Sequence, residues 1–148
     1  MIANLARELL GPCADALDLR HARDRSDYIA AYFGDEAVGV IGVEPKIDSA
    51  LIRSLCVNES MRRRGIGGTL IAAARKAAHT RGARHLYLFG ADAGGFFERH
   101  GFTVVAVADV IAAIPGVPLV ERMRARPEEL TRQVGYHLDI SGDGVIER

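Results

Sequence analysis

The sequence predicts a mixed α/β (α+β) domain, in which a central, mostly antiparallel sheet is flanked by helices. Two β-rich runs, 28–33 and 37–43, are separated by Gly34-Asp35-Glu36 and have the pattern of a hairpin. The apolar period then changes to that of a helix over 67–80, and a strand follows at 84–89. Antiparallel strands followed by a strand–helix–strand unit are typical of a mixed sheet.

The remaining elements of the first half rest on shorter signals. Residues 3–10 have the apolar spacing of a short helix, which Gly11-Pro12 ends, whereas the segment 13–25 is ambiguous. Residues 45–49 are expected to form a turn, because they contain proline and polar residues. A strand at 50–57 then leads into the glycine-rich segment that precedes the long helix.

In the second half of the chain, glycine, proline and aspartate residues indicate where helices and strands begin and end. Gly82 is the expected end of the long helix. Asp92 is the expected N-cap of a short helix that extends to about Arg99. The later segments are, in order, a strand at 102–107, one helical turn at 110–114 before Pro115-Gly116, a mixed segment at 118–132 and an extended segment at 133–140.

Composition excludes several classes of function. The chain has 148 residues, which suits a single domain over 1–148, with the role of 125–148 left open. Lysine plus arginine equals aspartate plus glutamate at 19 each, so no net charge indicates nucleic acid or an anionic membrane as a partner. Arg7 and Glu8 interrupt the apolar start, which argues against a secretion signal. We therefore expect a cytoplasmic protein and leave a homodimer open.

Neither the cysteines nor the histidines have the spacing of a metal site or a disulfide framework. Cys13 and Cys56 are expected to be thiols, and Cys56 to be a small buried apolar residue rather than a nucleophile. Residues 139–147 match the opening of an EF-hand loop, but the glutamate needed at the twelfth position would lie beyond Arg148. The sequence therefore favours a glycine-rich turn over a calcium site.

The segment 51–70 carries the clearest chemistry. It reads LIRSLCVNESMRRRGIGGTL and joins a strand directly to a helix. Glycines allow the backbone to approach a ligand, and the amides of the first helical turn point outward with the positive end of the helix dipole. Arg62, Arg63 and Arg64 add positive charge, and Thr69 offers a hydroxyl. This combination predicts a pyrophosphate site.

Two common phosphate-binding motifs do not fit this segment. A P-loop requires a Lys-Ser/Thr pair after its last glycine, and the dinucleotide fingerprint requires a third glycine that is absent here. The pattern Arg-x-x-Gly-x-Gly in Arg62, Gly65 and Gly67 instead resembles the acyl-CoA-binding motif of the GNAT N-acetyltransferase superfamily. Residues 95–102, with the sequence GFFERHGF, resemble the second signature of that superfamily. The resemblance covers roughly 28–107.

The resemblance implies a GNAT fold and an acetyl-CoA site. The strands at 50–57 and 84–89 would splay apart, and the pantetheine arm would lie between them and pair with backbone amides near Cys56 and Val57. The pyrophosphate would bind the amides of 63–68. The implied acetyl-CoA-binding residues are Leu55, Cys56, Val57, Arg62, Arg63, Arg64, Gly65, Ile66, Gly67, Gly68, Thr69 and Phe97. No metal is implied.

A narrower resemblance points to the acceptor. The run 51–57 and the run Phe96-Phe97-Glu98-Arg99 are similar to the short arsenic-resistance N-acetyltransferases and to the acetyltransferase part of N-acetylglutamate synthases. That group implies an amino-acid-like amine as the acceptor. Glu44 is then the candidate base, and Arg53 the candidate ligand for an acceptor carboxylate. Glu44 as a surface carboxylate and Arg53 as the partner of a structural acid remain equal alternatives.

Phe97 raises the question of which group protonates the departing thiolate. Many members of the superfamily have a tyrosine here that protonates the departing CoA thiolate, which phenylalanine cannot do. Tyr87 and His100 lie nearby in the sequence but off the motif position. Either solvent protonates the thiolate, or alignment of the reactants carries the rate. The alternatives to a small-molecule acetyltransferase are therefore a protein or peptide N-acetyltransferase and a catalytically weak CoA-binding sensor.

Overall fold

The computed structural model describes residues 17–21, 28–90, 94–126, 128 and 133–143. Seven strands and four α-helices are present in these ranges. The strands are β1 (Leu17–His21), β2 (Tyr28–Phe33), β3 (Glu36–Lys46), β4 (Ser49–Val57), β5 (His85–Gly90), β6 (Thr103–Val105) and β7 (Val134–Asp139). The helices are α1 (Ile66–Thr80), α2 (Phe96–Arg99), α3 (Val107–Ala113) and α4 (Pro118–Ala125), and a 3-10 turn covers Glu59–Met61.

The strands form one mixed sheet in the order β1-β2-β3-β4-β5-β7-β6. The pairs β1/β2, β2/β3, β5/β7 and β6/β7 are antiparallel, whereas β4/β5 is parallel. A parallel pair needs a crossover connection, which α1 supplies between β4 and β5. The predicted fold class, a mixed and mostly antiparallel sheet with flanking helices, is confirmed.

The chain divides into two compact units, Met1–Val43 with Arg53–Ala77 and Glu44–Ile52 with Ala78–Arg148. In the first unit, α1 packs its apolar face close to β3. A Cβ atom at Gly39 would lie 3.0 Å from Leu70 Cδ1, 3.2 Å from Ile66 Cγ2 and 3.2 Å from the carbonyl oxygen of Cys56. Leu70 and Ile66 are almost fully buried. The missing side chain at Gly39 therefore lets the start of α1 approach the sheet.

The core of the second unit is built around the connection between β6 and β7. Helices α3 and α4 of this connection contribute apolar side chains that cluster with a residue of β4. The buried cluster consists of Leu51, Val110, Ile114, Val117 and Val120, and Tyr87, Phe89, Val105 and Ile111 pack against it. These contacts cover the β5 face that carries Tyr87 and Phe89, and the sequence does not predict this second apolar layer.

The predicted end of the long helix is confirmed in detail. Gly82 has a φ of 91°, a left-handed conformation that glycine adopts without strain. The Ala83 amide donates to the Ala78 carbonyl and the Gly82 amide donates to the His79 carbonyl, each at 3.0 Å. This pair of hydrogen bonds is a Schellman motif, which satisfies the last carbonyls of the helix.

Three element boundaries differ from the sequence prediction. The turn predicted at 45–49 is present but shorter, because β3 continues through Pro45 to Lys46 and only Ile47 and Asp48 form the turn. Helix α2 begins at Phe96 with Gly95 as its N-cap, and the predicted N-cap, Asp92, lies outside the described residues. The strand predicted at 102–107 ends at Val105, and α3 begins at Val107 because helical spacing buries Val110 and Ile114 together.

Other predicted segments have mixed outcomes. The helical turn at 110–114 lies within or next to α3, the mixed segment 118–132 contains α4, and the extended segment 133–140 contains β7. The ambiguous segment 13–25 contains β1. The helix predicted at 3–10 lies outside the described residues. None of the helices in the described ranges is long and apolar enough to span a membrane.

The aspartate that opens the calcium-like motif stabilises a turn. Asp139 Oδ1 accepts hydrogen bonds from the Ser141 amide at 2.8 Å and from Ser141 Oγ at 2.6 Å. These bonds lower the pKa of the Asp139 carboxyl. Among the described residues, no group of three or more histidine, cysteine, aspartate or glutamate side chains is arranged to hold a metal ion. The carboxylate therefore has a local structural role after β7.

We predict that Gly39→Val destabilises the protein by about 1–3 kcal/mol, because the new side chain overlaps Leu70, Ile66 and a backbone carbonyl. Urea unfolding monitored by circular dichroism measures the change. Gly142→Val is the matched control, since nothing lies within 4 Å of a Cβ at Gly142. Equal unfolding midpoints for the two variants would contradict the close packing of α1 on β3.

Candidate functional site

The turn that opens α1 presents backbone amides toward an anion. Arg63 and Gly65 have positive φ values of 66° and 79°, and the helix begins at Ile66. The first helical hydrogen bond runs from the Thr69 amide to the Gly65 carbonyl at 3.0 Å. The amides of Ile66, Gly67 and Gly68 therefore precede the helical ladder, as expected for the first turn of a helix. The first turn carries no acidic residue, so its dipole favours a negatively charged ligand.

The three arginines before this turn are exposed, and one of them supports the backbone. Arg62 Nε donates to the carbonyl of Val57, the last residue of β4, at 3.2 Å. Asn58 is anchored to β3, because its amide donates to the Val38 carbonyl at 2.9 Å and its side chain donates to the Ala37 carbonyl at 3.2 Å. The turn is thereby held at the end of the strand, and Arg63 and Arg64 add exposed positive charge beside it.

Two predicted ligand residues of this turn are used by the helix itself. Thr69 is fully buried, and its hydroxyl donates to the Gly65 carbonyl at 3.0 Å. The expectation that this hydroxyl binds a phosphate is therefore wrong, because the side chain is buried and its hydroxyl donates to a backbone carbonyl at the start of the helix. Ile66 also buries its side chain, so only its backbone amide belongs to the candidate site. Gly65 and Gly67 are half-buried and remain candidate contacts through their backbone.

The β4 strand changes character halfway along its length. Its parallel pairing with β5 runs from Ser49–His85 to Ile52–Leu88, and β4 continues beyond this pairing to Val57. Ser54 has a φ of 58° inside the strand, a left-handed conformation that is uncommon for a residue other than glycine. The predicted splaying of β4 and β5 and the course of pantetheine stay predictions.

From Ser54 to Val57, the side chains of β4 alternate between exposed and half-buried positions. Leu55 and Val57 are half-buried, whereas Ser54 and Cys56 are exposed. The expectation that Cys56 is buried is wrong, because this part of β4 is not covered on the face to which Cys56 points. Cys13, the other predicted thiol, lies outside the described residues.

Arg53 lies against an aromatic ring that the sequence analysis did not single out. Its guanidinium carbon is 5.4 Å from the centroid of the Tyr28 ring, within the range of a cation–π contact. The Tyr28 hydroxyl lies 3.4 Å from Ser54 Oγ, on the residue that follows Arg53. An arginine on an otherwise apolar strand predicts an interaction partner. Which residue it contacts depends on the register of β2 and β3. Glu44, the candidate base, is half-buried near the end of β3 and belongs to the second unit.

Phe97 lies in a cluster of aromatic rings in the second unit. Its ring centroid is 5.2 Å from that of Phe96, 6.0 Å from that of Phe102 and 5.0 Å from that of Tyr136. A Cβ at Gly90 would lie 3.4 Å from Phe97 Cε2, so the ring also contacts the end of β5. Phe97 is therefore a half-buried member of an aromatic cluster, and its side chain has no proton to donate.

The pKa values of Tyr87 and His100 are shifted in opposite directions. Burial raises the pKa of the Tyr87 hydroxyl, and the charges of Asp48 and Asp109 add to the shift. Burial lowers the pKa of His100, with a smaller effect from Arg99. Tyr87 therefore retains its proton at neutral pH, whereas the neutral form of His100 is favoured.

A histidine pair links β5 to β7. His85 Nδ1 and His137 Nε2 are 2.9 Å apart, which is a hydrogen-bonding distance that requires at least one neutral ring. The Tyr87 ring lies 4.9 Å from that of His137. Burial lowers the pKa of His137, and the neighbouring His85 lowers it further, whereas Asp139 opposes the shift. The folded protein therefore binds a proton at His137 less readily than the unfolded chain does.

We predict that stability falls as the pH is lowered from about 7 to about 5, because the unfolded chain then binds more protons at His137 than the folded protein. His137→Gln should weaken this dependence. Denaturant unfolding at several pH values measures it, with His79→Gln on α1 as the control. The same pH slope in the wild type and His137→Gln would refute the role of the pair.

Comparison with known proteins identifies the class to which this site belongs. The model of the acetyltransferase (GNAT) domain family matches residues 24–104, which include the turn before α1 and all of α2. The chain therefore belongs to the GNAT acetyltransferase domain family. It is an N-acetyltransferase that uses acetyl-CoA as its acetyl donor, and the predicted family is confirmed.

The particular proteins it resembles are distant in sequence. The uncharacterized N-acetyltransferase YjcF of Bacillus subtilis (strain 168) is 28% identical over 114 residues, which are 76% of this chain and 79% of YjcF. Rv2747 from Mycobacterium tuberculosis, solved in complex with CoA, has a TM-score of 0.64 at 17% identity, and the match covers 93% of each chain.

A second solved structure that the chain resembles is the N-acetylglutamate synthase from Neisseria gonorrhoeae, complexed with coenzyme A and N-acetyl-glutamate. It has a TM-score of 0.65 at 18% identity, and the match covers 94% of this chain. The chain spans only 32% of the length of that synthase. At these identities, the two solved structures establish the shared fold.

Proposed function

We propose that this protein acetylates the amine of a small molecule, an amino acid or an amino-acid analogue, by direct transfer from acetyl-CoA in a ternary complex. The observation that carries this proposal is the turn at the start of α1. Its amides precede the helical ladder, its first turn has no acidic residue, and it follows directly from the end of β4. A diphosphate bound there would place the pantetheine arm of CoA along β4.

The β4 backbone after the pairing with β5 is suited to the pantetheine arm. We infer that the amides of Leu55, Cys56 and Val57 pair with it as with an added strand. The amides from Arg63 to Gly68 then hold the pyrophosphate, and the exposed guanidinium groups of Arg62, Arg63 and Arg64 add positive charge. We place Phe97 at the wall of the thioester pocket, and we expect the reaction to take place in the cytoplasm.

The assignment of an amino-acid acceptor rests on Arg53 and on one structural relative. The Neisseria gonorrhoeae synthase was crystallised with N-acetyl-glutamate, which supports an amino-acid acceptor for a domain of this fold. Arg53 is half-buried and supplies a planar set of donors that matches a carboxylate. Glu44 is the proposed base, which removes a proton from the acceptor ammonium directly or through water.

The reaction requires one nucleophilic displacement. The neutral acceptor amine attacks the thioester carbonyl carbon, a C–N bond forms, and the C–S bond breaks to release CoA thiolate. Glu44 or water takes the ammonium proton before the attack, the second proton that leaves the nitrogen passes to water, and solvent protonates the thiolate because Phe97 has no hydroxyl. Alignment of the amine with the thioester supplies several kcal/mol of the acceleration.

Phe97 also favours a second candidate, a CoA-binding sensor with little turnover. An acetyltransferase for proteins or peptides is a further alternative, which would acetylate a peptide in preference to free amino acids. Release of free CoA thiol from acetyl-CoA with panels of amino acids, other amines and peptides tests all three. A sensor would bind CoA by calorimetry without thiol release, whereas the proposed enzyme releases thiol with an amino acid.

We predict that Gly67→Glu lowers CoA affinity by more than about 100-fold, because the new side chain occupies the amide-lined turn and its charge repels the diphosphate. Isothermal titration calorimetry with CoA measures the affinity. Gly142→Glu introduces the same side chain in open space and should leave the affinity unchanged. Wild-type CoA affinity in Gly67→Glu would eliminate the turn as the binding site.

A further inference from the structure

Three neighbouring strands bring together a tyrosine, a glycine and an arginine. Tyr28 on β2 pairs directly with Gly42 on β3. A Cβ at Gly42 would lie 3.0 Å from Arg53 Cγ, 3.1 Å from the Arg53 carbonyl oxygen and 3.2 Å from Tyr28 Cε1. Gly42 therefore lies between the two side chains, and its lack of a side chain lets them meet.

The contact between Tyr28 and Arg53 uses the face of the guanidinium rather than its edge. The guanidinium carbon lies 5.4 Å from the Tyr28 ring centroid. A cation–π contact involves the face of the guanidinium, whereas a carboxylate binds the N–H groups at its edge. The two interactions are therefore compatible, and the ring restricts the motion of a long side chain before a ligand arrives.

The ring itself is fixed at its other end. The Tyr28 hydroxyl lies 3.4 Å from Ser54 Oγ, and Ser54, the residue after Arg53, has a φ of 58°. The tyrosine thus contacts both Arg53 and the residue that follows it on β4. Burial of Gly42 and partial burial of Tyr28 and Arg53 keep this arrangement within the folded sheet.

We propose that Tyr28 and Gly42 are specificity-determining positions that hold the Arg53 guanidinium to bind the carboxylate of an amino-acid acceptor. This inference rests on the proposed function. It goes further because it assigns the selection of carboxylate-bearing amines to Tyr28 on β2, Gly42 on β3 and Arg53 on β4. Arg53 contacts the substrate, whereas Tyr28 and Gly42 are positioning residues.

The test compares each amino acid that the wild type acetylates with the amine that lacks its carboxylate. In Tyr28→Leu, KM for the amino acid should rise about two- to fivefold, the factor expected from loss of a partly exposed cation–π contact. The KM for the matched amine, kcat and CoA affinity should stay unchanged. Tyr28→Phe retains the ring but loses the contact of the hydroxyl with Ser54, so its KM should lie closer to that of the wild type than to that of Tyr28→Leu.

A matched control is available on the same strand. Tyr32 also lies on β2 and also stacks on an arginine, with Arg20 Cζ 4.4 Å from its ring centroid. Tyr32→Leu should leave the KM of the amino acid unchanged. Equal effects of Tyr28→Leu and Tyr32→Leu, or equal rises in KM for the amino acid and its matched amine, would overturn the inference.

Two further variants of Arg53 keep the test decisive if Tyr28→Leu unfolds. Arg53→Lys retains the charge but not the planar fork, and it should raise the amino-acid KM while the melting temperature is preserved. Arg53→Ala should raise it further, and adding Tyr28→Leu to Arg53→Ala should have no additional effect on KM. Additive effects of the two substitutions would show that Tyr28 does not act through Arg53.

The outcome also separates this inference from the proposed function. Acetylation of amines without discrimination for a carboxylate would overturn the role of Arg53 and Tyr28 and leave acetyl transfer intact. Binding of CoA with no thiol release for any amine or peptide would overturn both. Calorimetric titration of the amino acid into the CoA-saturated protein gives a readout that does not depend on turnover.

Discussion

The close approach of α1 to β3 is the constraint on which the candidate site depends. Gly39 admits Ile66 and Leu70 onto the sheet, so the first turn of the helix is fixed by core packing rather than by the turn sequence alone. Arg62 and Asn58 then tie the intervening loop to the ends of β4 and β3. Backbone amides bind an anion well only when they are held in place beforehand, and these contacts hold them.

Recognition of the donor and recognition of the acceptor use different parts of the chain. The proposed donor site relies on main-chain amides and glycines, which bind phosphate in many sequences because every residue supplies an N–H group. The proposed acceptor site relies on side chains such as Arg53, whose orientation depends on neighbours in β2 and β3. A family with a common cofactor can therefore keep its turn and vary its acceptor through a few residues on the sheet.

In the second unit, phenylalanine at position 97 removes the side-chain proton donor that a tyrosine would supply. Phe97 contacts three aromatic rings and has no proton to donate. The side chains of Tyr87, His85 and His137 lie together on β5 and β7; burial raises the pKa of Tyr87, whereas burial and the neighbouring His85 lower the pKa of His137. Their chemistry concerns the stability of this unit and its response to pH.

The sequence by itself determined the fold class, the long helix with its glycine stop and the glycine-rich turn, because these depend on contiguous residues and on local backbone preferences. Only the tertiary structure decided that Thr69 bonds its own helix, that Cys56 is exposed and that Val107 begins a helix. The pairing of Arg53 with Tyr28 and of His85 with His137 also required it. Such contacts join residues far apart in the chain, and strand register, which periodicity does not specify, places them side by side.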